Sequence, residues 1–229
     1  MVEIVGIIPA RLGSKRVYQK NLKNLNGLPL LAWTINALKK ARVFGDEIYV
    51  TTEDFRLAEV ADCYGAKTIL RPNNLADDKI HIDEAIIHAI NKLKEIGKEF
   101  KYVGIFQPTT PFRNPELIRA ALEHMKSECA DSLFFATELH KFIWTRKPEP
   151  INYDYKNRPR SQDKKWELVE TGDYIVKTDT LLKERNRLGG KITYFITTPL
   201  SAFEIDTKFD LKIAESIARG FGLHGLYKE

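Results

Sequence analysis

The chain has 229 residues, with 36 Lys and Arg against 31 Asp and Glu, for a formal charge of +5. That length suits one domain over residues 1–229, and a composition that is 43% hydrophobic supplies one sizeable core. No apolar run approaches the ~18 residues of a membrane span, and Cys63 and Cys129 are too few for a disulfide framework or a Cys-rich zinc site. The expected setting is cytoplasmic.

In chain order, residues 4–8 lack a basic leader-like flank and predict a buried strand. A basic loop follows, then a helix over 30–40 with Leu31, Ile35 and Leu38 inward. Residues 47–51 predict a second strand, 55–64 a helix stopped by Gly65, and 67–70 a short strand. A turn-rich stretch at 71–78 leads to an amphipathic helix carrying Ile82, Ala85, Ile86, Ala89, Ile90 and Leu93. Residues 102–106 form a continuous apolar strand of the kind buried on both faces. Asn114-Pro115-Glu116 opens another helix, with an N-cap and Pro at its first position. Strands over 132–137, 174–177 and 192–197 and a last helix over 208–219 complete the pattern. Such alternation predicts an α/β fold with a largely parallel sheet. Residues 140–166, rich in Pro, Asn and basic residues with interleaved aromatics, break the rhythm as an insertion.

Charge is unevenly placed. Residues 4–45 hold eight basic side chains and no acid, and 140–165 hold eight against three, so the remainder is net acidic. Two cationic zones on an otherwise acidic chain point to anionic ligands. Lys39, Lys40 and Arg42 have a simpler explanation, a helix C-terminus that favours cations. That explanation leaves out Arg11, Lys15, Arg16, Lys20 and Lys23, which follow the first strand directly. In open parallel sheets ligands bind at the carboxyl ends of strands. Gly13 and Ser14 suit a tight turn with free N–H groups, and Arg11, Lys15 and Lys20 suit a polyphosphate. The segment is neither a Walker A motif nor a dinucleotide fingerprint.

The run Ile8-Pro9-Ala10-Arg11-x-Gly13-Ser14-Lys15 with Lys20-Asn21 resembles the N-terminal signature of the CMP-acylneuraminate synthetases, the sialic-acid cytidylyltransferases. The likeness continues through Arg71-Pro72-x-x-Leu75-Ala76-x-Asp78, Gln107-Pro108-Thr109-Thr110-Pro111-x-Arg113 and Asn157-Arg158-Pro159-Arg160-x-Gln162-Asp163. Glu170-Thr171-Gly172 and Ile205-Asp206-Thr207-x-x-Asp210-Leu211 extend it to the last helix. Six segments in order carry the resemblance.

The resemblance implies a mostly parallel, Rossmann-like sheet of the nucleotidyltransferase type with a protruding dimerisation arm at 140–166. It also implies a magnesium-dependent transfer of CMP from CTP to a nine-carbon 2-keto-3-deoxy sugar acid, sialic acid or a relative. Arg11, Ser14, Lys15 and Lys20 would hold the triphosphate on the Gly13 loop, with Asn21 and Arg71 near the nucleotide. Of these, Arg11 and Lys15 join Asp206 as the catalytic group, since cations stabilise charge on the α-phosphoryl oxygens and departing pyrophosphate. Glu204 and Asp206, alternate residues of an expected strand, face one way and would bind Mg2+. The family has Asp at the first of these positions. Otherwise Asp206-Thr207 is simply the N-cap of the last helix.

Gln107, at the exit of the most apolar strand, would contact the sugar acid. Arg113 fits either a structural or a ligand role. By resemblance the arm packs on another subunit of a homodimer or dimer of dimers. There Arg158 or Arg160, with Gln162 and Lys141, would meet the neighbour's sugar carboxylate, and Trp144 and Tyr155 suit an interface core. Two departures stand out: Lys79-Ile80-His81 replace small hydroxyl residues expected at the base, and Asp173-Tyr174-Ile175 replace a familiar Ala-Ile-Tyr. His88, His124 and His224 show no ligand spacing. Alternatives are the same chemistry with GTP or an eight-carbon acid, and a non-catalytic RNA-binding protein using both basic zones. The favoured reading has no nucleic-acid partner.

Overall fold

In the computed structural model, which describes residues 2–223, the chain opens with β1 (Ile4–Pro9), buried at every position. His224 lies outside the described residues. A small hairpin, β2 (Asn24–Leu25) and β3 (Leu28–Pro29), precedes α1 (Leu30–Ala41). The hairpin was not expected, although its Asn26-Gly27 turn, with φ of 49° and 96°, is the sequence best suited to a two-residue loop. Then come β4 (Ile48–Thr52), α2 (Phe55–Cys63), β5 (Lys67–Leu70), α3 (Ile82–Glu95) and β6 (Tyr102–Phe106). The second half holds α4 (Pro115–Ser127), β7 (Ser132–Leu139), β8 (Glu167–Lys177), α5 (Thr178–Glu184), β9 (Ile192–Ile196) and α6 (Lys208–Gly220).

Seven strands form one sheet in the order β5-β4-β1-β6-β8-β7-β9, parallel except for β8. Helices α1, α2 and α4 pack on one face over Ile8, Val50, Phe106 and Leu133. Helices α3 and α5 cover the other over Val5, Ile7, Val103 and Val176. A third cluster joins α6 to the hairpin and α1 through Leu25, Trp33, Phe112 and Ile205. This is the expected α/β sheet of the nucleotidyltransferase type. No helix among the described residues is long and apolar enough to cross a membrane.

The expected strand over 174–177 is longer, starting at Glu167. Its first half lacks an apolar run and contains Gly172 at φ +77°, which hid it from a hydrophobic pattern. β7 likewise runs on to Leu139, with an irregularity between Phe134 and Ala136. Residues 140–166 therefore cap an antiparallel β7–β8 ribbon. They hold themselves together by aromatic contacts: Phe142 against Tyr153 at 4.5 Å between centroids, and His140 stacked on Trp166 at 5.4 Å. Arg158 lies 4.2 Å from the Phe142 ring centroid.

Candidate active site

Strands β1 and β6 are neighbours whose onward connections leave in opposite directions, to β4 and to β7. Their carboxyl ends flank the switch point at which open α/β sheets bind ligands. A cleft of about 290 Å³ opens there, walled by Arg11, Gly13, Ser14, Lys20, Asn21, Arg71, Gln107, Glu204 and Asp206. The sheet has thus gathered residues from both ends of the chain.

The loop after β1 turns through Gln19 in the left-handed region (φ 50°) into a short 3-10 turn, Lys20–Leu22. That turn buries Asn21, whose Nδ2 donates to the Arg11 carbonyl at 2.9 Å. Lys20 Nζ donates to the Ile205 carbonyl at 2.7 Å and lies 3.3 Å from Asp206 Oδ1. Gly13 does not make the turn as expected. Its φ is not positive, and a Cβ there meets nothing within 4 Å, so the glycine keeps the cleft wall bare.

Four cations of the loop, Arg11, Lys15, Arg16 and Lys20, already face a carboxylate. Arg11 Nη1 lies 2.6 Å from Asp78 Oδ1, and Lys15 Nζ lies 2.7 Å from Asp78 Oδ2. Arg16 Nη1 lies 3.0 Å from Asp206 Oδ2. The Lys15 ammonium, with Arg11 beside it, holds the Asp78 carboxyl below its ordinary value. Lys15 itself stands outside the cleft wall. Arg71 is buried, and burial lowers its pKa against the opposing Glu53 carboxylate. Its Nε has no partner among the described residues.

Residues 204–206 form no strand, contrary to expectation. They are tethered instead by the Ile205 N–H donating to the Thr109 carbonyl at 2.8 Å. Ile205 is buried, and its two acidic neighbours both line the cleft. Thr109 Oγ1 donates to Glu204 Oε1 at 3.0 Å. The cap of α6 is Thr207, whose Oγ1 accepts from the Asp210 N–H while Asp210 Oδ2 accepts from the Thr207 N–H. Asp206 is thereby free of the capping duty that competed with a ligand role. Among the described residues no three His, Cys, Asp or Glu side chains converge as a metal cage. Two carboxylates on one wall is the donor set magnesium accepts when phosphate oxygens and water complete its shell.

Gln107 follows β6 and its Nε2 donates to the Gly172 carbonyl at 3.2 Å. Gly172 is needed there, since a Cβ would sit 3.0 Å from that nitrogen at a φ of +77°. Arg113 is structural. Its Nε and Nη2 meet the two Asp173 oxygens at 2.6 Å each, and it also donates to the carbonyls of Gln107 and Thr110. Burial raises the Asp173 carboxyl above its ordinary value, and the Arg113 guanidinium offsets only part of that rise. The departure at Asp173-Tyr174-Ile175 therefore supplies the partner of Arg113, and Tyr174 packs in the core.

Lys141, Arg158, Arg160 and Gln162 lie in the arm and do not line the cleft of their own chain. At the expected base site, Ile80 and Ile82 line the wall, whereas Lys79 and His81 do not. Sequence reasoning missed Glu53, and named Asp78 and Thr109 only as parts of motifs. The strand-end rule that singled out Gln107 also applies to Glu53, which follows β4 directly.

The sequence matches the family described as Cytidylyltransferase over residues 5–221. The chain belongs to the cytidylyltransferase family. It is 31% identical over 232 residues to the N-acylneuraminate cytidylyltransferase of Oncorhynchus mykiss, covering 98% of this chain and 52% of that protein. The pseudaminic acid cytidylyltransferase of Campylobacter jejuni is 30% identical, covering 91% of this chain and 93% of its own length. The chain thus spans about half the length of the first of these relatives. Among solved structures, a CMP:2-keto-3-deoxy-manno-octonic acid synthetase complexed with CTP superposes with a TM-score of 0.72 at 17% identity, covering 96% of this chain and 99% of that one. The resemblance read from the six motifs is borne out at the level of the family and its fold.

Proposed function

We propose that this cytidylyltransferase-family chain is a magnesium-dependent enzyme that joins CTP to a nine-carbon 2-keto-3-deoxy sugar acid. The products are the CMP-sugar and pyrophosphate. The observation that carries this is the gathering of Arg11, Lys20, Gln107, Glu204 and Asp206 around one cleft at the sheet's switch point. Arg11, Ser14, Lys15 and Lys20 take the triphosphate, whose oxygens replace Asp78 and Asp206 as partners of the cations. Asn21 and Arg71 hold the nucleoside end. Magnesium, held by Asp206 and Glu204, would supply charge neutralisation at the α-phosphate. Gln107, steadied by Gly172, orients the acid so that its anomeric 2-hydroxyl oxygen attacks the α-phosphorus and pyrophosphate leaves on the opposite side. Catalysis rests on positioning and on charge placed before the reaction.

The arm is proposed to pack on a second copy in a homodimer or dimer of dimers, carrying Lys141, Arg158, Arg160 and Gln162 to the neighbour's sugar acid. Exposed Trp144, Ile151 and Tyr155 on the arm, with Ile192, Tyr194 and Ile196 on β9, support such a contact. A cytoplasmic location completes the proposal.

One observation favours a second reading, in which another nucleotide such as GTP is used. Ile80 brings an apolar side chain to the wall where small hydroxyl residues were expected. A pyrophosphate-release assay separates these readings by crossing four nucleoside triphosphates with eight- and nine-carbon keto-sugar acids, with and without magnesium. Release that depends on CTP, acid and magnesium is expected. Release preferring GTP overturns only the nucleotide, and no acid-dependent release overturns the enzyme. Salt-sensitive RNA binding in place of turnover establishes the RNA-binding alternative.

A further inference from the structure

Glu53 leaves β4 at its carboxyl end and does not line the cleft, yet its side chain is largely buried. Its Oε1 accepts from the backbone N–H of Leu12 at 2.7 Å. Its Oε2 accepts from Arg71 Nη2 at 2.9 Å. Leu12 stands between Arg11 and Gly13, both of which line the cleft, and Arg71 lines it directly. The Arg71 N–H donates to the Thr52 carbonyl at 2.9 Å, and the Ala10 N–H to the Thr51 carbonyl at 3.0 Å. One carboxylate therefore ties together the exits of β1, β4 and β5.

We propose that Glu53 is a positioning residue for nucleotide binding, acting through the Leu12 backbone and the Arg71 guanidinium. This rests on the proposed function and deepens it. The loop carries several cations that repel one another, so its shape needs a fixed acceptor beneath it. Leu12 N–H is that anchor point, and it sets the direction in which Arg11 leaves the backbone. Arg71 is buried, and a buried guanidinium without a carboxylate is costly. Without Glu53, its Nη2 keeps only the Ala10 carbonyl at 3.4 Å.

The test is Glu53→Gln. Its amide oxygen still accepts from Leu12, but its NH2 group then confronts Arg71 donor to donor. CTP affinity, measured by calorimetry on the full chain, is expected to fall at least about tenfold. In turnover, KM for CTP should rise in step, while KM for the sugar acid stays within about twofold. Glu53→Asp, which keeps the charge, should recover part of the CTP affinity. Equal CTP affinity in Glu53→Gln and the wild type overturns the proposal, as does an equal rise in both KM values. A wild-type chain that binds no CTP overturns the proposed function as well, so the two failures are distinguishable. Should Glu53→Gln not fold, amide exchange in the wild type decides: the Leu12 N–H should exchange more slowly than those of Gly13 and Ser14. Equal rates overturn the anchor.

Discussion

The two cationic zones of the chain are held in opposite ways. In the loop after β1, the partners come from far along the sequence: Arg11 meets Asp78, and Arg16 and Lys20 meet Asp206, which lies 186 positions beyond Lys20. In the arm, Arg160 pairs with Asp163 and Lys164 with Glu167, each three positions away. Local pairs of this kind form almost as readily in the unfolded chain, so they add little to folding and define no site. Remote pairs exist only when the sheet brings strand ends together, and the chain-closure entropy is met by the core. A ligand arriving at the loop meets a preset field. One arriving at the arm meets the exposed Arg160 and, at Arg158 and Lys164, cations laid over the arm's own rings.

The hardest test of this contrast lies beneath the cleft. Arg113 and Asp173 are another remote pair, 60 positions apart and both buried. Arg113→Ala strands a buried carboxylate and should cost about 3–5 kcal/mol. In a chain of this size that lowers Tm by roughly 10 °C, read by thermal unfolding. A loss under about 1 kcal/mol would show that remoteness in sequence does not mark the pairs that matter. Next is Asp206→Ala, which should slow pyrophosphate release about 100- to 1,000-fold while α6 keeps its Thr207–Asp210 cap. Circular dichroism should show a folded chain. An unchanged rate removes Asp206 from the reacting centre.

How much of this was legible beforehand follows from the same physics. The alternation of apolar runs exposed the parallel half of the sheet, because strands such as Tyr102–Phe106 are buried on both faces. β8 was half hidden, since its first residues sit on a two-sided ribbon where Glu170 and Val169 are exposed. Cleft residues that touch the ligand space carried motifs, so Arg11, Asn21, Gln107 and Asp206 were named. Glu53 stands outside the cleft wall and acts on the Leu12 backbone and on Arg71, partners set by register between strands. No local pattern encodes that register. Arg113 was undecided for the same reason: its partner lies on an antiparallel strand whose pairing with β6 is visible only in the fold.

A milder test uses pH. Burial alone would raise the Glu47 carboxyl, but hydrogen bonds from Lys98, Tyr49 and Lys67 outweigh it and hold its pKa at about 2. The Lys98 contact, at 2.7 Å, spans 51 positions. With its folded pKa below the unfolded value, this carboxylate stabilises the chain fully above about pH 4.5. Its contribution is lost as pH falls toward 2. Glu47→Gln should therefore lower stability at pH 7 by about 1–2 kcal/mol and flatten the acid limb of the unfolding curve. An acid limb unchanged by the substitution would remove Glu47 from the groups that shape it.

The smallest effect belongs to the arm, and it bears on the contrast from the other side. The Arg160–Asp163 pair is short, at 2.7 Å, but both side chains are largely exposed and only three positions apart. Water screens the attraction, and the unfolded chain samples the same contact. Arg160→Ala should thus change folding stability by less than about 0.5 kcal/mol, a Tm shift of no more than about 2 °C. Because no arm residue lines the chain's own cleft, KM for CTP should also stay constant. On the proposed oligomer, what should move is KM for the sugar acid, which the arm would meet in a neighbouring copy. A stability loss of several kcal/mol would instead mean that the local pair is a structural tie, and the division between remote and local pairs would fail where it looks safest.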